Sequence, residues 1–302
     1  MTDQASPSEF PRTARALREA LAVRGVYPRK HHGQCFLTDV QAVDAIVRDA
    51  EVAPGDAVIE VGTGTGLLTH ALCEAGASVD TFDIDPGVLE VARSLRSWPS
   101  TVRFHVGDAL EGKHALAPAL LQALRAARAA VGPGRVRCVS NLPYNAATPV
   151  LLGLLALDDP PDTITAMVQR EVGEKFLARA GGGDYGPPSV LRALQADGRI
   201  LRKFPAQVFW PQPKVTSALL RLVPRRPRAF PSGDERAFAA FLLALFSRRR
   251  KMLSSALRAA REDLSAEAAH ALCEAAGLDP RLRPEDVSPE ALLDLGRRAR
   301  AA

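Results

Sequence analysis

The chain has 302 residues and 32.3 kDa, enough for one large domain with a smaller companion. Hydrophobic residues make up 47% and charged residues 24%, near globular averages, which excludes disordered, collagen-like and coiled-coil proteins. The net charge of +5 is unevenly spread: residues 33–170 hold 10 basic and 16 acidic residues while both flanks are basic, which suits either a polyanionic partner gripped from the edges or a merely soluble surface.

In chain order, residues 1–25 read as a mobile N-terminal arm with some helix, lacking the continuous apolar stretch of a secretory signal. Ala57–Val61 reads as a buried strand, Leu67–Glu74 as a helix, Val79–Ile84 as a second strand and Gly87–Leu95 as a second helix. Val102–Val106 follows as a third strand, Ala115–Ala130 as an alanine-rich helix, Val136–Ser140 as a fourth strand and Pro149–Leu157 as a helix. This alternation implies a parallel sheet covered by helices on both faces, so the fold class is α/β. Further strands are expected at Ile164–Gln169 and Ser217–Val223, closing a domain over 26–223, and Gly181–Gly186 is a loop. Three prolines and a glycine within 224–233 mark a linker, after which 234–302 reads as all helical, with Ser265 and Ser288 as helix caps.

The longest nearly apolar run, 146–157, is too short to span a bilayer. Cys35, Cys73, Cys138 and Cys273 form no C-x-x-C pair, so a reducing cytoplasm, no structural metal and no membrane partner are expected.

Chemistry-bearing motifs fall at the ends of the predicted strands. Gly62-Thr63-Gly64-Thr65-Gly66 closes the first strand and opens a helix, yet Leu67 stands where a dinucleotide fingerprint needs its third glycine. The spacing resembles the E-x-G-x-G-x-G of Rossmann-like class I methyltransferases. Asp83 ends the second strand and can accept from both ribose hydroxyls of a nucleoside. Asp108, after the third strand, can accept from an adenine amino group. Asn141-Leu142-Pro143-Tyr144, after the fourth, resembles the N-[LI]-P-[YF] box of amino-methyltransferases. An adenine amino lone pair is delocalised into its ring; the Asn141 side-chain oxygen and the Pro143 carbonyl can hold its two N–H bonds out of plane, and Tyr144 can stack on the base. An Asn-x-Pro turn with a core tyrosine is the plainer alternative for those four letters alone.

Further segments carry a specific resemblance. Lys30-His31-His32-Gly33-Gln34-Cys35-Phe36-Leu37 is similar to the K-x-F-G-Q-N-F-L of small-subunit (16S) ribosomal RNA adenine N6-dimethyltransferases, the KsgA type. Gln169-Arg170-Glu171-Val172, Tyr185-Gly186 with Ser189-Val190, residues 209–218 and Phe246-Ser247-Arg248-Arg249-Arg250-Lys251 resemble that family's remaining boxes, in family order. The resemblance implies a class I methyltransferase sheet with a small C-terminal all-helical domain that binds RNA. It implies S-adenosylmethionine as cofactor and dimethylation of two adjacent adenosines near the 3′ end of 16S rRNA within an immature small subunit, by a cytoplasmic monomer. Carried over by position, the donor site falls on Cys35, Leu37, Gly62, Asp83, Asp108 and Asn141. Asn141, Pro143 and Tyr144 would be catalytic, and Leu142, Tyr144 and Phe209 would hold the base, Phe209 as the second face of a sandwich. Arg248, Arg249 and Lys251 would meet RNA phosphates, although a charge run is also what a solvated helix face looks like.

The chain departs from the family pattern where Cys35 replaces Asn or His, His32 an aromatic, Asp83 a Glu and Ser140 a Gly, and 117–135 is longer than usual. Cys35 weakens one expected donor contact. Two other readings remain: an Erm-type dimethyltransferase of 23S rRNA, and a small-subunit assembly factor with vestigial catalysis.

Overall fold

The computed structural model describes residues 10–11, 13–29, 33–113, 115–230 and 234–302. Residues 1–9 and Arg12 of the expected arm, Lys30, His31 and His32, His114 and the end of the linker at 231–233 lie outside the described residues. The chain divides into two compact units, 1–173 with 199–223, and 174–198 with 224–302, so residues 174–198 group with the C-terminal helices.

The first unit is built on seven strands: β1 (Ala57–Val61), β2 (Ser78–Asp83), β3 (Val102–Val106), β4 (Val136–Asn141), β5 (Thr163–Gln169), β6 (Ala196–Phe204) and β7 (Ser217–Pro224). Their order across the sheet is β3-β2-β1-β4-β5-β7-β6. β1 to β5 pair in parallel and β7 runs antiparallel to β5. All five residues of β1 are buried, the pattern of a strand covered on both faces. From β1 the chain first builds outward through β2 to β3, then returns to place β4 and β5 on the other side. With right-handed crossovers, that reversal puts helices on opposite faces and leaves a crevice beyond the carboxyl ends of β1 and β4.

The ladder between those strands runs only from Ala57–Val136 to Ile59–Cys138. Beyond it, the Val61 N–H donates to the Ser140 hydroxyl at 2.9 Å instead of to a strand carbonyl. Ser140, a departure from the family glycine, therefore satisfies a backbone donor where the crevice begins. At the other end of the same strands, the buried Arg137 guanidinium donates to Asp56.

Two readings need correction, and the helix expected within the arm is located. The helix expected over Ala115–Ala130 starts at Pro118, because Ala115–Leu116 forms a small antiparallel ladder with Leu110–Glu111 and proline favours the first helical position. β6 was not expected as a strand: its Arg199, Arg202 and Lys203 hide the alternation, as charges do on an edge strand. Within the expected arm, residues 14–23 form a helix capped by Thr13, with Leu17 and Leu21 fully buried. Remaining boundaries of the expected elements lie within three residues of the sequence reading, the last helix running on to Ala301.

The second unit holds helices Pro187–Gln195, Asp234–Phe246, Leu253–Ala260, Ala266–Ala275 and Pro289–Ala301. Ser265 and Ser288 cap the last two by accepting from Ala268 and Ala291 N–H. The Tyr185-Gly186 motif serves this unit's packing: the buried Tyr185 hydroxyl donates to the Val287 carbonyl at 2.9 Å. Among the described residues, no helix is long and apolar enough to cross a membrane and no His, Cys, Asp or Glu cluster could hold a metal ion.

Candidate active site

A cavity of about 340 Å³ opens at the carboxyl ends of β1 to β4, at the reversal of strand order. Its floor is the glycine turn. Gly62 has φ +89°, and a Cβ there would meet the Asn141 carbonyl oxygen at 2.9 Å, so a side chain is excluded by both backbone conformation and contact. Gly64, with φ +54°, faces the Phe36 ring, which a Cβ would approach to 3.1 Å. Below the turn, Glu60 is fully buried; burial pushes its carboxyl up to about 8, with the Asp83 charge acting the same way. The Thr69 hydroxyl donates to its Oε2 at 2.6 Å. Burial therefore favours the protonated form of Glu60 beneath the turn.

Asp83 is held from two sides: Gly64 N–H donates to Oδ2 and Asp85 N–H to Oδ1, both at 3.0 Å. These bonds fix the carboxylate at the cavity wall although the Asp arm is shorter than the family Glu. Asp108 lines the same cavity, with Oδ1 accepting from Leu110 N–H at 2.9 Å, a local turn that orients it.

On the β4 side, the Asn141 side-chain Nδ2 donates to the Cys35 backbone carbonyl at 3.0 Å. Only the amide nitrogen can face a carbonyl oxygen, so this contact settles which way the amide lies and turns Oδ1 away from Cys35 as an acceptor. The anchor is Cys35's main chain, so the Asn-to-Cys departure leaves it intact. Cys35 lines the cavity, and burial raises the pKa of its thiol, which keeps it protonated and poorly nucleophilic. The Pro143 carbonyl accepts from Ala146 N–H at 3.0 Å, closing the turn and retaining its second lone pair. Tyr144 is half-buried; its hydroxyl lies 3.0 Å from the Ser217 hydroxyl, and burial raises its pKa.

Cys35, Leu37, Gly62, Asp83, Asp108, Asn141, Leu142, Pro143 and Tyr144 thus meet around one cavity. Two other expected residues sit differently. Phe209 is fully buried in the hydrophobic core, in register with Leu37 in a two-residue ladder, and does not line the cavity, so it forms no second face for a base in this structure. In the second unit, Arg249 donates to Glu285 at 2.8 Å and to the Gly183 carbonyl at 2.8 Å. It ties that unit together, whereas Arg248, Arg250 and Lys251 are exposed. Sequence reasoning also passed over Gln34 and Ser217. The Gln34 Oε1 accepts from Arg29 N–H, while its Nε2 is buried at the cavity wall with no hydrogen-bond partner among the described residues. Both lie inside motifs that the sequence shows, but the role of Ser217 depends on a partner 73 residues away.

Strand order, glycine turn and strand-end acids define a class I methyltransferase with a Rossmann-like sheet. A sequence profile described as ribosomal RNA adenine dimethylase matches residues 27–295, and the chain belongs to that family. The family's activity, S-adenosylmethionine-dependent dimethylation of rRNA adenine, makes this chain an rRNA methyltransferase. Among curated relatives, a ribosomal RNA small subunit methyltransferase A of Phenylobacterium zucineum (strain HLK1) is 39% identical over 283 residues, 94% of this chain and 92% of that protein. One of the same name from Moorella thermoacetica (strain ATCC 39073 / JCM 9320) is 36% identical over 95% of this chain and 96% of its own length. Of solved structures, a dimethyladenosine transferase from Plasmodium falciparum superposes with a TM-score of 0.65 at 21% identity, covering 84% of this chain and 94% of that one. The 23S rRNA methyltransferase ErmE superposes at 0.59 and 23% identity, covering 88% and 99%. At those identities the likeness concerns the fold.

Proposed function

We propose that the chain dimethylates the N6 amino groups of two adjacent adenosines near the 3′ end of 16S rRNA, acting as a cytoplasmic monomer on an immature small subunit. The observation that carries the chemistry is the Asn141 amide, clamped through Nδ2 to the Cys35 carbonyl with its oxygen left to accept, beside the fixed Pro143 carbonyl. Supporting the small-subunit target are the relatives named small subunit methyltransferase A, at 33–39% identity over most of the chain.

The donor site falls on Cys35, Leu37, Gly62, Asp83, Asp108 and Asn141. The residues fit that group: a cradle too close for any Cβ, a carboxylate for ribose hydroxyls, and an orphaned Gln34 amide suited to a methionyl carboxylate. Bound S-adenosylmethionine supplies a methyl group on a positively charged sulfur. Asn141 Oδ1 and the Pro143 carbonyl accept the two N6–H bonds and point the nitrogen lone pair toward the donor. Tyr144 supports the base by stacking, and Leu142, almost wholly buried with its N–H donating to the Met167 carbonyl at 3.2 Å, braces the turn. Transfer would form the N6–C bond as the donor's methyl–sulfur bond breaks, the electron pair leaving with sulfur as a neutral thioether; N6 would give up one proton to water, and rotation about C6–N6 would present the remaining hydrogen for a second round with a fresh donor. In the second unit, exposed Arg248 and Lys251 meet RNA phosphates.

The test is incubation with labelled donor and undermethylated small subunits, large subunits or naked rRNA, followed by mapping of modified adenines. Two adjacent dimethyladenosines in small-subunit rRNA are expected. Label in large-subunit rRNA would make the enzyme Erm-type, and subunit binding without label would make it an assembly factor.

A further inference from the structure

We propose that Ser217 is a positioning residue for methyl transfer, holding the ring of Tyr144 at the angle at which it supports the target base. The inference rests on the reading of Tyr144 as the base platform. Tyr144 sits in the turn after β4, and a ring fixed only at its Cβ can tilt and swing about two torsions. Its far end is held by the 3.0 Å hydroxyl–hydroxyl bond to Ser217. Ser217 is a suitable anchor because it does not move independently: it is fully buried at the start of β7, in register with Gln169 of β5. That register continues through Leu222–Ile164, and the Arg170 N–H donates to the Thr216 carbonyl at 2.9 Å at the strand's beginning. The wall of the target pocket is therefore pinned to the sheet by a residue 73 positions away in sequence.

This bond also gives the Lys214-Val215-Thr216-Ser217 segment a role beyond strand formation, by joining it to Asn141-Leu142-Pro143-Tyr144. Burial raises the Tyr144 pKa, so the phenol keeps its proton at working pH and the contact is not lost by ionisation. A hydroxyl rotor on serine can serve as donor or acceptor, which lets the bond persist as the ring adjusts to an unmethylated and then a monomethylated base.

A double-mutant cycle on undermethylated small subunits, read as the single-turnover transfer rate and the KM for donor, tests the proposal. Ser217→Ala and Tyr144→Phe should each slow transfer about fivefold, the weight of one ordinary hydrogen bond, with KM for donor nearly unchanged. The double variant should be no slower than either single one, because both remove the same bond. Ser217→Ala that slows transfer equally in the wild-type and Tyr144→Phe backgrounds would show a general packing role and overturn the proposal, as would a Ser217→Ala rate equal to wild type. If Ser217→Ala does not fold, Tyr144→Phe decides alone: slowed transfer supports the proposal and a wild-type rate overturns it. A wild-type enzyme that methylates no adenine would overturn the functional reading itself, which the parent measurement reveals before any variant is compared.

Discussion

Replacing Gly62 by alanine asks whether the donor turn and the target-base turn are mechanically one object. The substitution has two costs that the structure separates. At φ +89° a residue with a Cβ carries a backbone penalty of roughly 1–2 kcal/mol, and by itself this lowers Tm by only a few degrees. In addition, the new Cβ would lie 2.9 Å from the Asn141 carbonyl oxygen, roughly half an ångström inside ordinary contact. Asn141 ends β4 and is in register with Met167 of β5, so its carbonyl has little freedom to retreat and the strain passes into the catalytic turn. Since a misplacement of about 1 Å costs on the order of 10²-fold in rate, half that displacement predicts roughly a tenfold loss. Gly55→Ala is the control: Gly55 has φ +85° but nothing within 4 Å of its Cβ position, so it bears the backbone cost alone. Thermal denaturation, calorimetric titration with S-adenosylmethionine and single-turnover transfer should show similar Tm losses for both variants, with weakened donor binding and slowed transfer in Gly62→Ala only. Donor affinity and transfer rate in Gly62→Ala matching those of Gly55→Ala would refute the mechanical coupling.

Asp83→Asn keeps an oxygen to accept one of the two backbone N–H bonds but removes the charge, so donor affinity should fall about tenfold by calorimetry while subunit binding is unchanged; undiminished donor affinity would remove Asp83 from the donor site. Neutralising Arg248, Arg250 and Lys251 together should weaken subunit binding and flatten its salt dependence without lowering Tm, whereas Arg249→Ala should lower Tm by breaking its bonds to Glu285 and Gly183. An unchanged salt slope in the triple variant would make the run an ordinary solvated face. Glu60 has a folded-state pKa raised from 4.5 to about 8, so the folded chain keeps a proton that the unfolded chain releases; its contribution is full below about pH 4.5 and declines as pH rises toward 8. Urea denaturation of Glu60→Gln should therefore show a stability gain over wild type that grows across that window, and parallel pH profiles would mean that Glu60 is charged in the folded protein.

Much of the candidate site was legible in the linear chain because its parts are local: a turn needing left-handed glycines, an acid one strand later and an Asn-Leu-Pro-Tyr turn after the fourth strand each declare themselves within a few residues, and all line one cavity. Their convergence follows from parallel strands that all end on the same side of the sheet. What the tertiary structure decided concerns partners far apart in sequence. Phe209 looked like a base-stacking aromatic, but the ladder with Leu37 turns it into the core. Arg249 looked like its cationic neighbours until Glu285 and Gly183 were brought beside it. The orientation of the Asn141 amide depends on a carbonyl 106 residues earlier and the tether of Tyr144 on a hydroxyl 73 residues later. Local sequence determined which chemical groups reach the strand ends, since backbone conformation and hydrophobic period act over a few residues. Only packing determined which way those groups face, because a side chain's direction is set by whichever donor, acceptor or apolar surface the fold carries to it.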